Sequence, residues 1–153
     1  MDRAPVTLKT SYKKAGENNP LYTQRFGADP GVMEYGGRLY VYMTDDLLEY
    51  GADGKVTENT YQRIRTINCI SSDDLVNWTD HGRIPVAGPS GIAKWAVNSW
   101  APCAAHKTID GKEKFFLYFC NGGNGIGVLA ADSPAGPWRD ERGSLLVTRA
   151  VKN

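Results

Sequence analysis

An excess of charge of either sign is missing from this sequence: lysine and arginine number 18 against 17 aspartates and glutamates. Recognition of a phosphate backbone needs a basic surplus, so nucleic acid is not an expected partner. Long apolar runs are missing too. No segment approaches the roughly 20 apolar residues of a membrane span, and Met1 to Thr10 hold no apolar stretch of signal-peptide length. The chain is expected to be soluble, with no membrane partner. Histidine is scarce: His81 and His106 stand without cysteine or carboxylate at ligand spacing, which argues against zinc. Cysteine is scarce and odd in number. Cys69, Cys103 and Cys120 lie inside apolar segments and are expected as reduced, buried thiols rather than a disulfide framework. No G-x-S-x-G elbow is present. Gly123-Asn124-Gly125-Ile126-Gly127 lacks the full dinucleotide-binding spacing and runs into a strand-like segment, so it reads as a hairpin loop.

What is present points to an all-β fold. Seventeen glycines, eight prolines, eight tyrosines and four tryptophans accompany short runs of Val, Ile, Tyr and Phe, the mixture expected of many short strands joined by turns. From Asp29 the chain alternates through Asp-Pro-Gly-Val-Met-Glu-Tyr, turns at Gly36-Gly37, and alternates again to Met43. This predicts a hairpin. After a polar stretch holding Ala52-Asp53-Gly54-Lys55, the segment Tyr61 to Ser71 predicts a third strand, and Asn77 to Gly82 a short fourth carrying Trp78. The sequon at Asn77-Trp78-Thr79 is set aside, since Trp78 is expected to pack inward.

The same order then returns. Ala101-Pro102-Cys103-Ala104-Ala105-His106 precedes the turn Ile109-Asp110-Gly111-Lys112 and the apolar run Phe115 to Cys120. A glycine-rich loop leads into Ile126 to Ala131, and Asp132-Ser133-Pro134-Ala135-Gly136-Pro137 turns into Trp138. The two units differ mainly by the insertion from Thr44 to Thr60. Repeated four-stranded sheets of this size are the signature of propeller blades, of which about four to eight close a ring. Two copies, about 20–84 and 97–148 after an N-terminal segment 1–19, are an incomplete propeller. They would leave a strand edge and an apolar face uncovered. The expected partner is a complementary chain carrying the remaining blades, or a second copy.

Several motifs in this order resemble glycoside hydrolase family 43: Gly27-Ala28-Asp29-Pro30-Gly31-Val32, Gly37 to Tyr42, Ser71-Ser72-Asp73-Asp74-Leu75-Val76-Asn77-Trp78, Ser99-Trp100-Ala101-Pro102 and Ala131 to Trp138. The matches run through about the whole chain. The resemblance implies the first two blades of a five-bladed arabinofuranosidase or xylosidase, with Asp29 as general base and a pentose-containing carbohydrate as substrate. It also implies that the glutamate acid and a pKa-tuning aspartate sit on later blades, and that any structural calcium in the channel has its ligands outside this chain. No other cofactor is expected. Inverting glycosidases pair a carboxylate base with a carboxylic acid roughly 6.5–9.5 Å away. Asp140 and Glu141, in a polar turn past Trp138, read as solvated charge rather than as that acid. The isolated chain is therefore predicted to be inactive.

Asp29 opens an innermost strand, where a carboxylate reaches the channel, and Pro30 is expected to bias it toward an extended backbone. Its competing reading is a turn residue. Sugar rings are held by aromatic faces and by amides or carboxylates. Trp100 and Asn121 are the candidates for substrate binding, against readings as a core tryptophan and a loop amide, and Asp46, at the equivalent end of strand two in the first unit, is the third. Trp78 and Trp138 read as blade packing. A carbohydrate-binding module without catalysis, or a self-associating propeller half, are the alternatives to an enzyme part.

Overall fold

The structure is a computed structural model that describes residues 20–149; the segment 1–19 lies outside the described residues. Ten strands follow in chain order: β1 (Ala28–Tyr35), β2 (Arg38–Thr44), β3 (Glu49–Tyr50), β4 (Val56–Thr57), β5 (Thr66–Ser72), β6 (Thr79–Pro85), β7 (Trp100–Ile109), β8 (Lys112–Cys120), β9 (Gly125–Ala131) and β10 (Val147–Thr148). They form two four-stranded antiparallel sheets, β1-β2-β5-β6 and β7-β8-β9-β10, plus the small hairpin β3-β4. These are two consecutive blades, each running outward from its first strand.

Turn chemistry sets the register. Gly36 and Gly37, at φ 60° and 76°, supply the two left-handed residues of a tight hairpin, and Tyr35 pairs with Arg38 directly across it. The second unit repeats this with Asp110 and Gly111 at φ 50° and 74°. In register with that, the buried side chains of β2, β5, β8 and β9 alternate toward the space between the sheets. Tyr42, Ile67 and Cys69 from the first sheet share one core with Phe115, Leu117, Phe119, Leu129 and Ala131 from the second. Burying each large side chain of this set contributes about 1.5–3 kcal/mol. The Tyr42 hydroxyl crosses the interface to donate to the Pro134 carbonyl at 2.6 Å. A smaller cluster, Val41, Met43 and Ile70, lies on the opposite face of the first sheet under Leu21, Tyr22, Leu39 and Trp78.

Four expectations are corrected by these contacts. The third strand begins at Thr66, not Tyr61, because Tyr61 takes φ 62° and its carbonyl accepts the Ile64 amide, which makes a turn of 61–64. Trp138 sits beside an isolated bridge between Ala130 and Arg139, and β10 supplies the sheet's fourth strand. Only Cys69 of the three thiols is buried: Cys103 is exposed and Cys120 half-buried, since alternation along β7 turns Cys103 away from Pro102 and Ala104. Asp140 is not simply solvated. It accepts the Trp95 indole N–H at 2.7 Å and the Gly143 amide at 2.8 Å, fastening the inter-sheet linker to the turn after Trp138. Among the described residues no helix is long and apolar enough to cross a membrane.

Candidate active site

The inner strands of the two sheets meet at a very close approach. An atom at the Cβ position of Gly31 would stand 2.2 Å from the Pro102 carbonyl oxygen, so β1 and β7 touch backbone to backbone there. Each strand carries the same irregularity just ahead of this contact, a register shift between Ala28 and Gly31 in β1 and between Trp100 and Cys103 in β7. At these bulges Asp29 and Ala101 adopt φ 49° and 40°. The extended backbone expected of Asp29 from its following proline is thus overruled by the bulge, which rotates the residue out of the ladder. Ala101 is the uncharged counterpart of Asp29 in the second unit.

A cleft of about 520 Å³ opens at this junction, lined by Ala28, Asp29, Thr44, Asp46, Tyr61, Ile64, Trp100, Ala101, Cys120 and Gly122. That volume suits a small ligand. Three of the five non-glycine residues with left-handed φ among those described, Asp29, Tyr61 and Ala101, belong to its wall. Backbone strain of this kind gathers where a geometry is held for use. The Thr44 hydroxyl accepts the Ala101 amide at 2.9 Å and ties the end of β2 to the start of β7 across the cleft floor.

The sequence candidates separate. Asp29, Asp46 and Trp100 share the cleft; Asn121 does not line it. Its side-chain oxygen accepts the amides of Val97 and Asn98 at 2.8 and 3.1 Å, and the residue is buried. Asn98 in turn donates to the carbonyls of Tyr61, Gln62 and Ile64. Asn121 therefore stands behind the cleft wall and braces it rather than lining it. Trp100 is half-buried, and its indole N–H donates to the Tyr61 carbonyl at 3.0 Å. The Tyr61 and Trp100 rings stand edge to face, 6.5 Å apart. Tyr61 was not legible as a cleft residue; its only sequence signal is that it follows directly on the insertion.

Two neighbouring aspartates divide their work by burial. Asp45 is buried and saturated: it accepts Thr66 Oγ1 at 2.5 Å, Arg83 Nε at 2.6 Å and Asn68 Nδ2 at 3.0 Å. Asn68 and Asp80 both bind Arg25, so the segment entering β1 is latched to the first sheet. Asp46 is left facing the cleft. Burial, then the charges of Asp29 and Asp45, raise its carboxyl above the ordinary 3.8. Such a pair of carboxylates suits hydroxyl recognition and proton handling. Among the described residues no three or more His, Cys, Asp or Glu gather where they could hold a metal ion.

Comparison with known proteins follows this geometry. The family model described as Glycosyl hydrolases family 43 matches residues 17–149. The arabinoxylan arabinofuranohydrolase of Paenibacillus polymyxa is 54% identical over 145 residues, covering 91% of this chain and 23% of that protein. The one from Bacillus subtilis (strain 168) is 53% identical over 149 residues, covering 94% and 29%. A solved structure of the glycoside hydrolase family 43 arabinoxylan arabinofuranohydrolase from Bacillus subtilis, in complex with cellotetraose, superposes with a TM-score of 0.86 at 51% identity, over 94% of this chain and 30% of that one. An alpha-L-arabinofuranosidase from Clostridium thermocellum aligns with a TM-score of 0.59 at 43% identity, over 83% and 38%. The chain thus spans under a third of the length of these two curated relatives.

Proposed function

From the premise that this chain belongs to glycosyl hydrolases family 43, we propose that it is the base-bearing, two-blade part of an inverting glycosidase that removes arabinose or xylose units from a pentose-containing plant polysaccharide. The observation that carries the reading is the meeting of Asp29, Asp46 and Trp100 on one cleft at the junction of the inner strands. Asp29 activates the attacking water. Asp46, half-buried beside it, accepts sugar hydroxyls, and the Trp100 face packs on the C–H surface of the ring. The identity of the relatives supports an arabinofuranoside as the sugar cleaved.

The leaving oxygen needs a proton donor on the opposite side of the sugar. Among the described residues the carboxylates on the cleft are Asp29, at the start of β1, and Asp46, just past the end of β2, so the acid is expected from a further blade. The second sheet has a surface that could receive one: a depression of about 330 Å³ lies open there, with Phe116, Val128 and Leu146 beside the charged Glu141 and Arg142. Alone, the chain is expected to be inactive. Joined to the remaining blades it is expected to hydrolyse an aryl arabinofuranoside, and Asp29→Asn in that assembly should lower kcat by about 10²–10⁴. Wild-type turnover by the Asp29→Asn assembly would refute the base assignment.

A further inference from the structure

Two asparagine-glycine pairs, Asn121-Gly122 and Asn124-Gly125, stand close together in the connection from β8 to β9. Such a pair carries its own reactive chemistry. A glycine has no Cβ to hinder its main-chain nitrogen as it approaches the preceding side-chain carbonyl, and asparagine is accordingly a thermolabile residue. The fold treats the two pairs in opposite ways. Asn121 is buried, and its side-chain oxygen accepts the Val97 and Asn98 amides at 2.8 and 3.1 Å. Turning its carbonyl carbon toward the Gly122 nitrogen would break both bonds and leave two donors of the linker unpaired. Asn124 is exposed and ends the single 3₁₀ turn Gly122–Asn124, a form with poor hydrogen-bond geometry.

The backbone around Asn124 is lightly held. Its amide donates to the Asn121 carbonyl at 3.1 Å, its carbonyl accepts the Arg149 amide at 3.2 Å, and the Asn121 amide closes the turn on the Gly125 carbonyl at 2.8 Å. Gly125 follows at φ 140° and ψ −164°, a backbone reserved for glycine. The atoms nearest its Cβ position all belong to β10, with the Val147 carbonyl oxygen foremost at 2.2 Å. That strand is two residues long, both exposed, and so short an edge pairing opens locally far more often than the sheet behind it. Each opening frees the Gly125 nitrogen to reach the Asn124 side chain.

We propose that Asn124 is a self-modification site whose product loosens the cleft wall. The Gly125 nitrogen, losing its proton, bonds to the Asn124 side-chain carbonyl carbon; the bond from that carbon to the amide nitrogen breaks, and the nitrogen takes up a proton and leaves as ammonia. Water then opens the resulting succinimide at either carbonyl, giving aspartate or isoaspartate, with no oxidant or reductant involved. Isoaspartate carries the chain through the former side chain. One more methylene thus enters the backbone ahead of Gly125, and the carbonyl that held the Arg149 amide becomes a free carboxylate. The Asn121 to Gly125 closure no longer spans its old distance, so Gly122, on the cleft wall, loses its support together with the pairing of β10. The modification stands on its own chemistry, and only its effect on sugar binding rests on the glycosidase reading above.

The test is to hold the folded chain in warm, mildly alkaline buffer and follow its tryptic peptide 115–139 by mass spectrometry. The peptide should become about 1 Da heavier at Asn124, as two products of which isoaspartyl methyltransferase labels one, whereas Asn121 should keep its amide until the chain is unfolded in urea. In the isoaspartate fraction, amide hydrogen exchange should speed up at Leu146 and Arg149. Calorimetric titration of that fraction with methyl α-L-arabinofuranoside should show binding roughly fivefold weaker than in the fresh chain, the order of one lost hydrogen bond. Asn124→Gln, whose longer side chain must close a larger and slower ring, should age without these changes. Asn121 reacting as fast as Asn124 in the folded chain would overturn the proposal, as would an Asn124 that keeps its amide while an unstructured peptide of the same sequence loses its own. Unchanged exchange and unchanged sugar binding in the isoaspartate fraction would overturn the effect on the wall. Modification and faster exchange in a chain that binds no sugar even when fresh would uphold the site and remove the glycosidase reading.

Discussion

Replacing Gly31 with alanine tests whether the cleft depends on the close approach of β1 and β7. The added Cβ would stand 2.2 Å from the Pro102 oxygen and 3.0 Å from the Cys103 Cα. Even the short C–H···O contacts of β-sheets keep carbon and oxygen about 3.3–3.6 Å apart, so the strands must separate by roughly 1 Å. Both opposing atoms are backbone, and no side chain can swing aside. Overpacking typically costs about 1–3 kcal/mol, and the rigid β7 backbone facing the new Cβ puts Gly31→Ala at the upper end, about 3 kcal/mol. With a slope of about 2 kcal/mol/M, the urea midpoint should fall by roughly 1.5 M. Gly37→Ala is the internal control. That position has nothing within 4 Å of a Cβ but sits at φ 76°, so its cost is conformational, about 1–2 kcal/mol. Gly31→Ala should also weaken sugar binding, because Asp29 and Ala101 flank the contact, whereas Gly37→Ala should not. A midpoint loss for Gly31→Ala no greater than for Gly37→Ala, with sugar binding intact, would refute the proposal that this contact sets the cleft.

Tyr42→Phe removes the donor to the buried Pro134 carbonyl and is expected to cost about 1–3 kcal/mol in urea unfolding; a loss below about 0.5 kcal/mol would mean that water replaces the hydroxyl. The raised carboxyl of Asp46 makes its charged form unfavourable in the fold, so its contribution is fully present below the ordinary 3.8 and is lost as pH rises through the raised value. Asp46→Asn should therefore stabilise the chain at neutral pH and not at pH 3, checked by thermal melts at both. Asp29→Asn should bring the Asp46 titration down, because the Asp29 charge is the second cause of its rise; an unchanged Asp46 curve by carboxyl-carbon NMR would contradict the pairing. Iodoacetamide mapping by mass spectrometry should label exposed Cys103 first and Cys69 only on unfolding, since burial pushes that thiol up to about 12. Cys120, on the cleft wall, should be protected by bound sugar.

The features legible in the sequence were those that local chemistry fixes. Gly36-Gly37 and Asp110-Gly111 announce their hairpins because two successive left-handed residues are rare outside such turns. The repeated Asp29-Pro30 and Ala101-Pro102 pairs locate the inner strands because they mark the same bulge twice. What stayed hidden depends on contacts between distant segments. The pre-proline rule describes an isolated dipeptide, and at Asp29 the approach of β7 overrides it. Asn121 looks like a ligand-facing amide until the linker amides of Val97 and Asn98 are found on its oxygen. Tyr61 enters the cleft only because Asn59 and Asn98 grip its backbone from two directions. Exposure of Cys103 follows from strand alternation, which its apolar neighbours obscured.

The chain of amides from Asn121 through Asn98 to the 61–64 turn bears on how such proteins can recombine. The braced wall belongs to the first blade and the brace to the second, so neither blade is an exchangeable module for this cleft. A chimaera joined within the linker, for instance at Gly91, would keep both sheets yet match a wall from one parent to a brace from the other. Blades of this kind are expected to be inherited in pairs, with 61–64 and 98–121 changing in concert, even where the sheets around them drift independently.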